Sequence, residues 1–388
     1  MKVLGWGGSC VCAGVLVAVA VTACVAVMGA AEGGGGAAAW MSKQSLRAYD
    51  ATCNDGTDAV YYIRTSLVGS TKWIVYLQGG WYCFDDNTCL QRWSSSKSLM
   101  SSDGYPETRS PAGFLSVDPV MNPYFFEYNA VFIPYCSSDL WTGNFRASSP
   151  GVNNWSFLGQ AIVRATIEDL KSKHGLNKAS QLLFTGSSAG GTGAFFNLDL
   201  VASLLPGVAT YGIPDSGFFL DNVPFKPENC STVYTCTAAT GSKIGLQHYN
   251  VTTFPTGCES QYPGDELYKC IFAKYFYPMM KTPVLVFQFM YDLAQLTFDQ
   301  ALSTDLSPAQ LAYIEQVGVD TFKALASVKS VYSPACLLHT ILESKQWNNI
   351  EIQKTDLGQA IHNWVNGAAV HMQDMCGTPD CNKTCPKP

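Results

Sequence analysis

Short apolar runs rich in β-branched and aromatic residues alternate along the chain with longer segments whose apolar positions recur every three or four residues. The short runs are typical of buried strands, and the longer spacing is typical of helices with one buried face. This alternation predicts an α/β fold, with a mostly parallel sheet flanked by crossover helices. The predicted strands are residues 59–65, 73–77, 130–134, 181–185, 209–213 and 283–290. The predicted helices are residues 157–174, 188–204, 308–327 and 356–365.

One stretch interrupts this alternation. Residues 224–270 hold four cysteines and show little periodicity. We interpret them as a disulfide-stapled insertion over the sheet rather than as a separate domain. Since no internal repeat is visible either, residues 42–388 are predicted to form one domain.

The N-terminal segment differs in composition from the rest of the chain. Lys2 is the only charged residue before Glu32, and residues 10–31 consist almost entirely of small and apolar residues. This pattern is typical of a signal peptide over residues 1–31. The apolar run of roughly 20 residues is also long enough to span a bilayer, so a signal anchor that tethers the protein to a membrane is the alternative. Residues 32–41 begin with a Gly/Ala-rich run typical of a flexible spacer.

The charge balance argues against one class of partner. The chain has 24 Lys and Arg against 30 Asp and Glu, a formal net charge of −6, and no long basic run. A surface that binds a phosphate backbone needs clustered positive charge, so we do not expect a nucleic-acid partner.

Cysteine usage favours an oxidising compartment. Of the 15 cysteines, three lie in the N-terminal apolar run, and the other twelve are an even number. Twelve thiols in one domain predict a disulfide framework and a secreted, extracellular protein. The sequence also contains four Asn-x-Ser/Thr triplets, which are glycosylation candidates if a eukaryote makes the protein. They begin at Asn154, Asn229, Asn250 and Asn382.

A zinc site is the alternative use of the cysteines. Cys376, Cys381 and Cys385 lie close together near His371. They lack the second pair at ligand spacing that structural zinc sites have. We therefore expect neither a metal nor a cofactor.

The strongest chemical signal is a GxSxG motif that directly follows an apolar strand and opens a predicted helix, at Gly186-Ser187-Ser188-Ala189-Gly190. This strand, turn and helix context is the one that the nucleophile elbow of an α/β-hydrolase requires. The two outer glycines allow a sharp turn and close packing of the helix on the strand, which leaves the Ser188 hydroxyl exposed. We interpret Ser188 as a nucleophile; a glycine-rich turn without a catalytic role is the alternative.

A serine nucleophile needs a general base, and the base needs an acid that orients it. In α/β-hydrolases the order along the chain is serine, acid, histidine. The apolar run that starts at Pro283 ends in Asp292, where such a fold places the acid. Asp292 is therefore the predicted acid, and Asp299 is the alternative.

The chain has only five histidines, which narrows the search for the base. His339 comes after Asp292 in the chain and closely follows Cys336, so a disulfide can hold its loop rigid. We predict that His339 is the base. Two of the other histidines precede the acid, one lies in an amphipathic helix and one in the cysteine-rich tail. They are His174, His248, His362 and His371.

Ester hydrolysis also needs N–H donors for the oxyanion of the tetrahedral intermediate. In α/β-hydrolases one donor belongs to the residue after the nucleophile, here Ala189, and others belong to a glycine-rich loop after an early strand. The strand of residues 73–77 leads into Gly79-Gly80-Trp81, which supplies such a loop, although a simple β-turn has the same pattern. Cys83 and Cys89 are near enough in sequence to close a small disulfide loop beside it.

Five segments together resemble the Notum and pectin acetylesterase family of secreted serine esterases. The resemblance extends from about Cys53 to the cysteine-rich tail, and its motifs are closer to Notum than to plant pectin acetylesterases. The segments are GGWYC at 79–83, IPYCSSDLWTG at 133–143, GSSAGGTG at 186–193, DSGFFLDN at 215–222 and DLAQLT at 292–297.

The resemblance implies an α/β-hydrolase that cleaves carboxylic esters with a triad of Ser188, Asp292 and His339. Within this family, Notum removes palmitoleate from a protein serine, and pectin acetylesterases remove acetyl from a polysaccharide. The implied substrate is therefore an acylated protein or an acetylated polysaccharide. The implied oxyanion donors are Gly80, Trp81 and Ala189.

The resemblance also implies an apolar acyl pocket beside the triad. Notum has a smaller aliphatic residue where this chain has Phe298, and the bulkier ring is expected to shorten the pocket and favour short acyl groups. Two further departures from Notum are Gln78 in place of Glu, and Leu338-His339-Thr340 in place of Ser-His-Glu. The implied pocket residues are Tyr82, Ala294 and Phe298, with Trp81, Phe218, Phe219 and Tyr291 as further aromatic candidates.

Two sets of disulfides are implied by the resemblance alone. One is a pair between Cys53 and Cys136. The other is a nested arrangement of Cys230, Cys236, Cys258 and Cys270.

The sequence as a whole predicts a secreted serine carboxylesterase that removes an O-linked acyl group, palmitoleoyl from a protein or acetyl from a polysaccharide. A catalytically inactive member of the fold that acts as a binding module is a second hypothesis. A glycan-binding secreted protein with incidental esterase motifs is a third.

Overall fold

The computed structural model describes residues 40–386, which belong to one compact unit. The predicted signal peptide or anchor and nearly all of the predicted spacer lie outside the described residues. The predicted spacer ends too late, because Met41 is fully buried and begins the first strand. Among the helices of residues 40–386, none combines the length and the apolar character needed to cross a bilayer.

Twelve strands and nine α-helices alternate through the described residues. The strands are β1 (Met41–Ser45), β2 (Val60–Arg64), β3 (Lys72–Leu77), β4 (Thr108–Arg109), β5 (Asn129–Ile133), β6 (Gln181–Ser187), β7 (Ala209–Asp215), β8 (Val286–Phe287), β9 (Val331–Ser333), β10 (Glu351–Ile352), β11 (Thr355–Asp356) and β12 (His371–Gln373). The helices are α1 (Asp86–Ser96), α2 (Gly159–His174), α3 (Ala189–Leu204), α4 (Ala238–Tyr249), α5 (Cys258–Gln261), α6 (Ala273–Phe276), α7 (Leu293–Phe298), α8 (Pro308–Leu325) and α9 (Leu357–Val365).

Ten of these strands form one sheet, in the order β12-β9-β8-β7-β6-β3-β5-β2-β1-β4. Neighbouring strands are parallel from β12 to β5 and antiparallel from β5 to β4. The predicted α/β fold with a mostly parallel sheet is confirmed. The remaining two strands, β10 and β11, form a short antiparallel hairpin.

A separate hydrophobic core covers each face of the sheet. Along β3, Trp73, Val75 and Leu77 pack into one core and the alternating Ile74 and Tyr76 into the other. Side chains of successive strand residues point to opposite faces, so a strand buried on both sides has apolar residues throughout. This explains why the central strands appear in the sequence as continuous apolar runs.

Two predicted elements differ from the structure. The apolar run of residues 283–290 contributes only β8 to the sheet, together with a single bridge between Val284 and Gly212. Pro283 has no N–H to donate to a strand ladder, and its carbonyl instead accepts from the N–H of Gly212. Residues 224–270 are more regular than their sequence indicates, because they contain the 12-residue helix α4.

Six disulfides pair the twelve cysteines outside the N-terminal run. The pairs Cys83–Cys89 and Cys53–Cys136 are the predicted ones. The nested arrangement in residues 224–270 is wrong, since each of its cysteines bonds to the next one along the chain. The tail cysteines are also in disulfides rather than free as thiolate ligands. The remaining pairs are Cys230–Cys236, Cys258–Cys270, Cys336–Cys385 and Cys376–Cys381.

The disulfides should differ in their contribution to stability according to the length of chain that each one closes. Cys53–Cys136 joins residues 83 apart, and Cys376–Cys381 joins residues 5 apart. A loop-entropy argument gives about 4.5 kcal/mol for the first and about 2 kcal/mol for the second. We expect Cys53→Ser/Cys136→Ser to lower the free energy of unfolding by the larger amount, measured by urea denaturation. Equal losses for the matched variant Cys376→Ser/Cys381→Ser would contradict this.

Candidate active site

The candidate site lies where four neighbouring parallel strands end. The carboxyl ends of parallel strands meet at one edge of a sheet, which is where open α/β folds bind their ligands. Strand β3 is followed there by Gly79-Gly80-Trp81, β6 by Ser188, and β8 by the loop that carries Asp292. Strand β7 itself ends in Asp215.

Ser188 occupies the sharp turn between β6 and α3. Its backbone has φ 59° and ψ −122°, a strained conformation for a residue with a side chain. The flanking residues must be glycine, because a Cβ on Gly190 would lie 2.0 Å from the carbonyl oxygen of Leu77, and one on Gly186 would lie 2.7 Å from the same atom. The N–H of Ser188 donates to the carbonyl of Asp215 at 2.8 Å. The predicted elbow geometry is therefore present.

The structure brings the three predicted triad residues together. His339 Nε2 lies 2.8 Å from Ser188 Oγ, and His339 Nδ1 lies 2.9 Å from Asp292 Oδ2. Both distances are within hydrogen-bond range. The His339 side chain is 21% exposed and that of Asp292 is 3% exposed, so the aspartate is shielded from solvent more than the histidine is.

The Asp292 carboxylate is held by more than its histidine. Oδ1 accepts from the backbone N–H groups of Ala294 at 2.9 Å and Gln295 at 3.1 Å, which makes Asp292 the N-cap of α7. Oδ2 accepts from Gln288 Nε2 at 3.2 Å. Gln288 also accepts from the N–H of Phe218, so the amide links two loops of the site. Sequence reasoning missed Gln288, although it lies four residues before the acid at the end of the same apolar run.

Opposing effects determine the pKa of His339. Burial disfavours the charged imidazolium and lowers the pKa. The negative charge of Asp292, the hydrogen bond to it and the charge of Asp215 act in the opposite direction, and together they raise the pKa above its ordinary value. The imidazole is therefore a stronger base than a free histidine.

The alternative acid and bases lie elsewhere. Asp299 is fully buried, and its carboxylate accepts from the amides of Asn222 and Gln295 rather than from a histidine. Burial raises the pKa of Asp299 to about 6. The remaining histidines lie away from Ser188. His174 packs edge-on against Tyr61, and His362 stacks on Tyr124. His371 bonds the carbonyl of Val328, and His248 lies in the last turn of α4, beside a separate groove.

The predicted oxyanion loop packs directly on the elbow. A Cβ on Gly79 would lie 2.4 Å from the carbonyl oxygen of Ser187 and 2.9 Å from Ser188 Cβ, so only glycine fits there. Gly80 and Trp81 both have positive φ, 140° and 58°. The disulfide Cys83–Cys89 ties the end of this loop to α1.

An apolar cavity opens beside Ser188. Its volume is about 40 Å³, and it is lined by the implied pocket residues Tyr82, Ala294 and Phe298 together with Trp81 and Phe219. Two of the aromatic candidates are not at the cavity and belong to the core instead. Phe218 packs against Phe195, and Tyr291 packs against Gly318 of α8.

Residues 41–386 match the pectinacetylesterase family. The chain belongs to this family. It is 37% identical over 358 residues to a palmitoleoyl-protein carboxylesterase, notum1, of Xenopus laevis. The match covers 86% of this chain and 72% of that protein. It is also 37% identical over 357 residues to palmitoleoyl-protein carboxylesterase NOTUM of Homo sapiens, with 86% and 71% covered.

The fold comparison agrees with the sequence comparison. The crystal structure of the Wnt deacylase Notum from Drosophila superimposes with a TM-score of 0.82 and 34% sequence identity, and it covers 89% of this chain and 99% of that one. The resemblance to the Notum and pectin acetylesterase family is confirmed, and so is the α/β-hydrolase-like fold.

Gln78, where the resemblance implies Glu in Notum, makes two contacts that do not depend on charge. The side-chain oxygen of Gln78 accepts from the N–H of Tyr135 at 2.9 Å, and its carbonyl accepts from the indole N–H of Trp141 at 3.1 Å. Both contacts need only acceptor oxygens, which a glutamate also supplies. Gln78 therefore positions the segment of residues 135–141 without a need for charge.

The glycosylation candidates of this family member differ in accessibility. Asn154, Asn229 and Asn250 are exposed. Asn382 is half-buried, and its side-chain amide donates to the carbonyl of Glu351 and to Asp374. Glycosylation of the three exposed sites stays a prediction, and Asn382 is the least accessible of the four.

The raised pKa of His339 gives a direct test of the site. We expect the imidazole to titrate above the ordinary histidine value of about 6.5, because the carboxylates outweigh burial. Asp292→Asn removes the largest favourable charge, so the pKa should fall. NMR titration of ¹³C-histidine-labelled protein measures both, and His371 serves as an internal control in the same spectra. A His339 pKa that Asp292→Asn leaves unchanged would contradict the arrangement.

Proposed function

We propose that this protein is a serine carboxylesterase that hydrolyses an O-linked acyl ester with Ser188, His339 and Asp292. The proposal depends on one observation, the continuous hydrogen-bonded series from Ser188 Oγ through the His339 ring to Asp292. Membership of the pectinacetylesterase family, whose members include carboxylesterases, is consistent with the proposal. An inactive binding module would have no need for this alignment or for the strained backbone at Ser188.

The geometry supports an acyl-enzyme mechanism in two halves. Ser188 Oγ attacks the ester carbonyl carbon while His339 Nε2 accepts the hydroxyl proton, and Asp292 stabilises the imidazolium. The tetrahedral intermediate collapses when His339 returns the proton to the leaving alcohol oxygen. Water then attacks the acyl-enzyme, with the same histidine as base, and releases the carboxylic acid and free Ser188.

The backbone N–H groups of Gly80, Trp81 and Ala189 are the proposed donors to the oxyanion. Ala189 begins α3, so its N–H is one of the groups at a helix start without an intrahelical acceptor. The close packing of Gly79 on the elbow supports the other two donors, because it brings the loop that carries Gly80 and Trp81 next to Ser188. Each such donor is typically worth about two to three powers of ten in kcat.

We infer that the acyl group is carried by a protein hydroxyl. The relatives at 37% identity are named palmitoleoyl-protein carboxylesterases, and the structural neighbour is named a Wnt deacylase. The apolar cavity beside Ser188 suits an acyl chain. On this proposal the substrate is a protein with an O-linked palmitoleoyl or related acyl group.

One observation favours a second candidate, an O-acetylesterase acting on a polysaccharide. Phe298 is 4% exposed, and its ring lies 6.1 Å from Trp81 and 5.7 Å from Phe219, so the three rings fill much of the pocket. The cavity of about 40 Å³ beside Ser188 is narrowed by these rings. A pocket narrowed in this way favours a short acyl group such as acetyl over a long chain.

We further propose that the enzyme acts outside the cell. Six disulfides form and persist in oxidising compartments, and they are rare in cytosolic proteins. The N-terminal signal peptide predicted for residues 1–31 would deliver the chain there, and a signal anchor would leave the same domain facing outwards.

Ser188→Ala should abolish turnover without disturbing the fold. The substitution removes the attacking oxygen, so we expect kcat on aryl esters to fall by about four to six powers of ten with little change in melting temperature. A serine-directed fluorophosphonate should label the wild-type protein and fail to label the variant. The neighbouring Ser187→Ala is the control, and it should still be labelled. A folded Ser188→Ala protein with full esterase activity would refute the proposal.

The two acyl candidates predict different chain-length profiles. We expect Phe298→Leu to shift the preferred aryl ester towards longer chains, because a smaller side chain enlarges the cavity. Phe289→Leu is the matched control, since Phe289 is fully buried in the other core, and its profile should equal that of the wild type.

The wild-type profile decides between the candidates. A maximum at eight or more carbons in an acetyl-to-palmitoyl series would support the protein deacylase. A maximum at acetyl would support the polysaccharide deacetylase. Identical profiles for the wild type and Phe298→Leu would show that Phe298 does not limit the pocket.

A further inference from the structure

A second buried carboxylate, Asp215, lies behind the candidate triad, at the carboxyl end of β7. It is fully buried, and it belongs to the DSGFFLDN segment, to which neither the sequence nor the proposed mechanism assigns a role. A buried carboxylate is costly unless hydrogen-bond donors surround it. Its contacts therefore indicate what the fold gains from it.

The Asp215 side chain binds the segment that follows the histidine. Oδ2 accepts from the backbone N–H of Ile341 at 2.9 Å and from that of Leu342 at 3.0 Å. Oδ1 accepts from the hydroxyl of Ser216 at 2.9 Å, and that oxygen accepts from the N–H of Thr340 at 3.1 Å. Three consecutive N–H groups directly after His339 are thus tied to one carboxylate.

The same residue also holds the nucleophile. The backbone carbonyl of Asp215 accepts from the N–H of Ser188 at 2.8 Å. Asp215 Oδ2 accepts from the hydroxyl of Ser187 at 2.5 Å, and that oxygen in turn accepts from the hydroxyl of Tyr76 at 2.6 Å. Asp215 therefore contacts the strand that presents the nucleophile and the loop that presents the base.

The loop after His339 needs such an anchor. Thr340 has a φ of 60°, which is unfavourable for a β-branched side chain. Strained backbone of this kind persists only where surrounding contacts determine it, and here the Thr340 N–H is fixed through Ser216. Without the carboxylate, we expect this segment to relax and to move the His339 imidazole away from Ser188.

We propose that Asp215 is a positioning residue that ties the base loop to the nucleophile strand and so keeps His339 between Ser188 and Asp292. This inference depends on the proposed function for its consequence in turnover. Its structural part, the effect of Asp215 on the His339 imidazole, can be measured without turnover.

Two substitutions separate the anchor from the charge. Asp215→Ala removes all four acceptor contacts of the carboxylate. Asp215→Asn keeps an oxygen for the N–H groups of Ile341 and Leu342, and its amide can donate to the hydroxyl oxygen of Ser216, so it mainly removes the charge. Asp169→Ala is the control, because Asp169 is also fully buried and bound to two partners, Tyr61 and Lys173, but lies on α2.

We expect Asp215→Ala to lower kcat on aryl esters by about 100-fold with KM within about twofold, the effect of a small displacement of a catalytic group. Asp215→Asn should lower kcat less. It should also lower the His339 pKa measured by NMR, because the charge of Asp215 favours the imidazolium. The acid limb of the pH profile of kcat/KM should move to lower pH for the same reason. Asp169→Ala should keep the wild-type kcat and pH profile at a comparable loss of melting temperature.

The titratable neighbours of the network are the same in both variants. Tyr76 and Glu343 lie close to Asp215, and Glu343 is paired with Arg109. Asp292 is the other charged group that acts on His339. A change in the His339 titration is therefore assigned to Asp215 itself.

Three results would overturn the inference. One is a folded Asp215→Ala protein with wild-type kcat, and another is a His339 imidazole whose NMR chemical shifts and pKa are unchanged by Asp215→Ala. The third is an equal loss of kcat in Asp169→Ala, which would mark a general effect of stability. If Asp215→Ala does not fold, Ser216→Ala, which removes only the link to Thr340, should still lower kcat with KM unchanged.

Failure of the proposed function gives a different result. A wild-type protein that neither hydrolyses aryl esters nor reacts with a fluorophosphonate would refute the esterase. The NMR chemical shifts and titration of His339 in Asp215→Ala would still support or overturn the positioning role of Asp215.

Discussion

The close packing of α3 on the ends of β3 and β6 is the constraint on which the rest of the site depends. A side chain at Gly190 would collide with the carbonyl of Leu77, and one at Gly79 would collide with Ser187. Because glycine has no Cβ, the backbone of α3 can lie directly against the end of β3. The chain therefore turns sharply at Ser188 and presents its hydroxyl at the sheet edge. The same packing brings the loop after β3 against the serine.

Two buried carboxylates then hold the histidine from different directions. Asp292 bonds the imidazole itself, and its own position is set by the start of α7 and by Gln288. Asp215 bonds the backbone after the imidazole. Both aspartates are surrounded by hydrogen-bond donors, and the negative charge of each favours a protonated His339. The sheet places these groups because β7 and β8 are neighbours in parallel register.

Substrate preference depends on side chains outside this rigid edge. The pocket walls come from the loop at Trp81, the loop at Phe219 and the helix that ends at Phe298. Such elements vary within a fold while the catalytic frame stays constant. A chain that shares 37% identity with palmitoleoyl-protein carboxylesterases can therefore keep their frame and differ in the acyl group that fits.

The sequence by itself determined the α/β class, the elbow at Ser188 and which aspartate and histidine join Ser188 in the candidate triad. Each of these is a local pattern: an apolar run has a period, a glycine pair permits a turn, and only five histidines compete for one role. Tertiary structure alone decided what Asp215 and Gln288 do, which cysteines pair in residues 224–270, and that Phe218 and Tyr291 belong to the core. The physical reason is that these outcomes depend on which groups meet in three dimensions. Asp215 binds N–H groups 126 and 127 residues away, and four cysteines within one segment allow several pairings, so the spacing of residue types along a sequence does not decide between them.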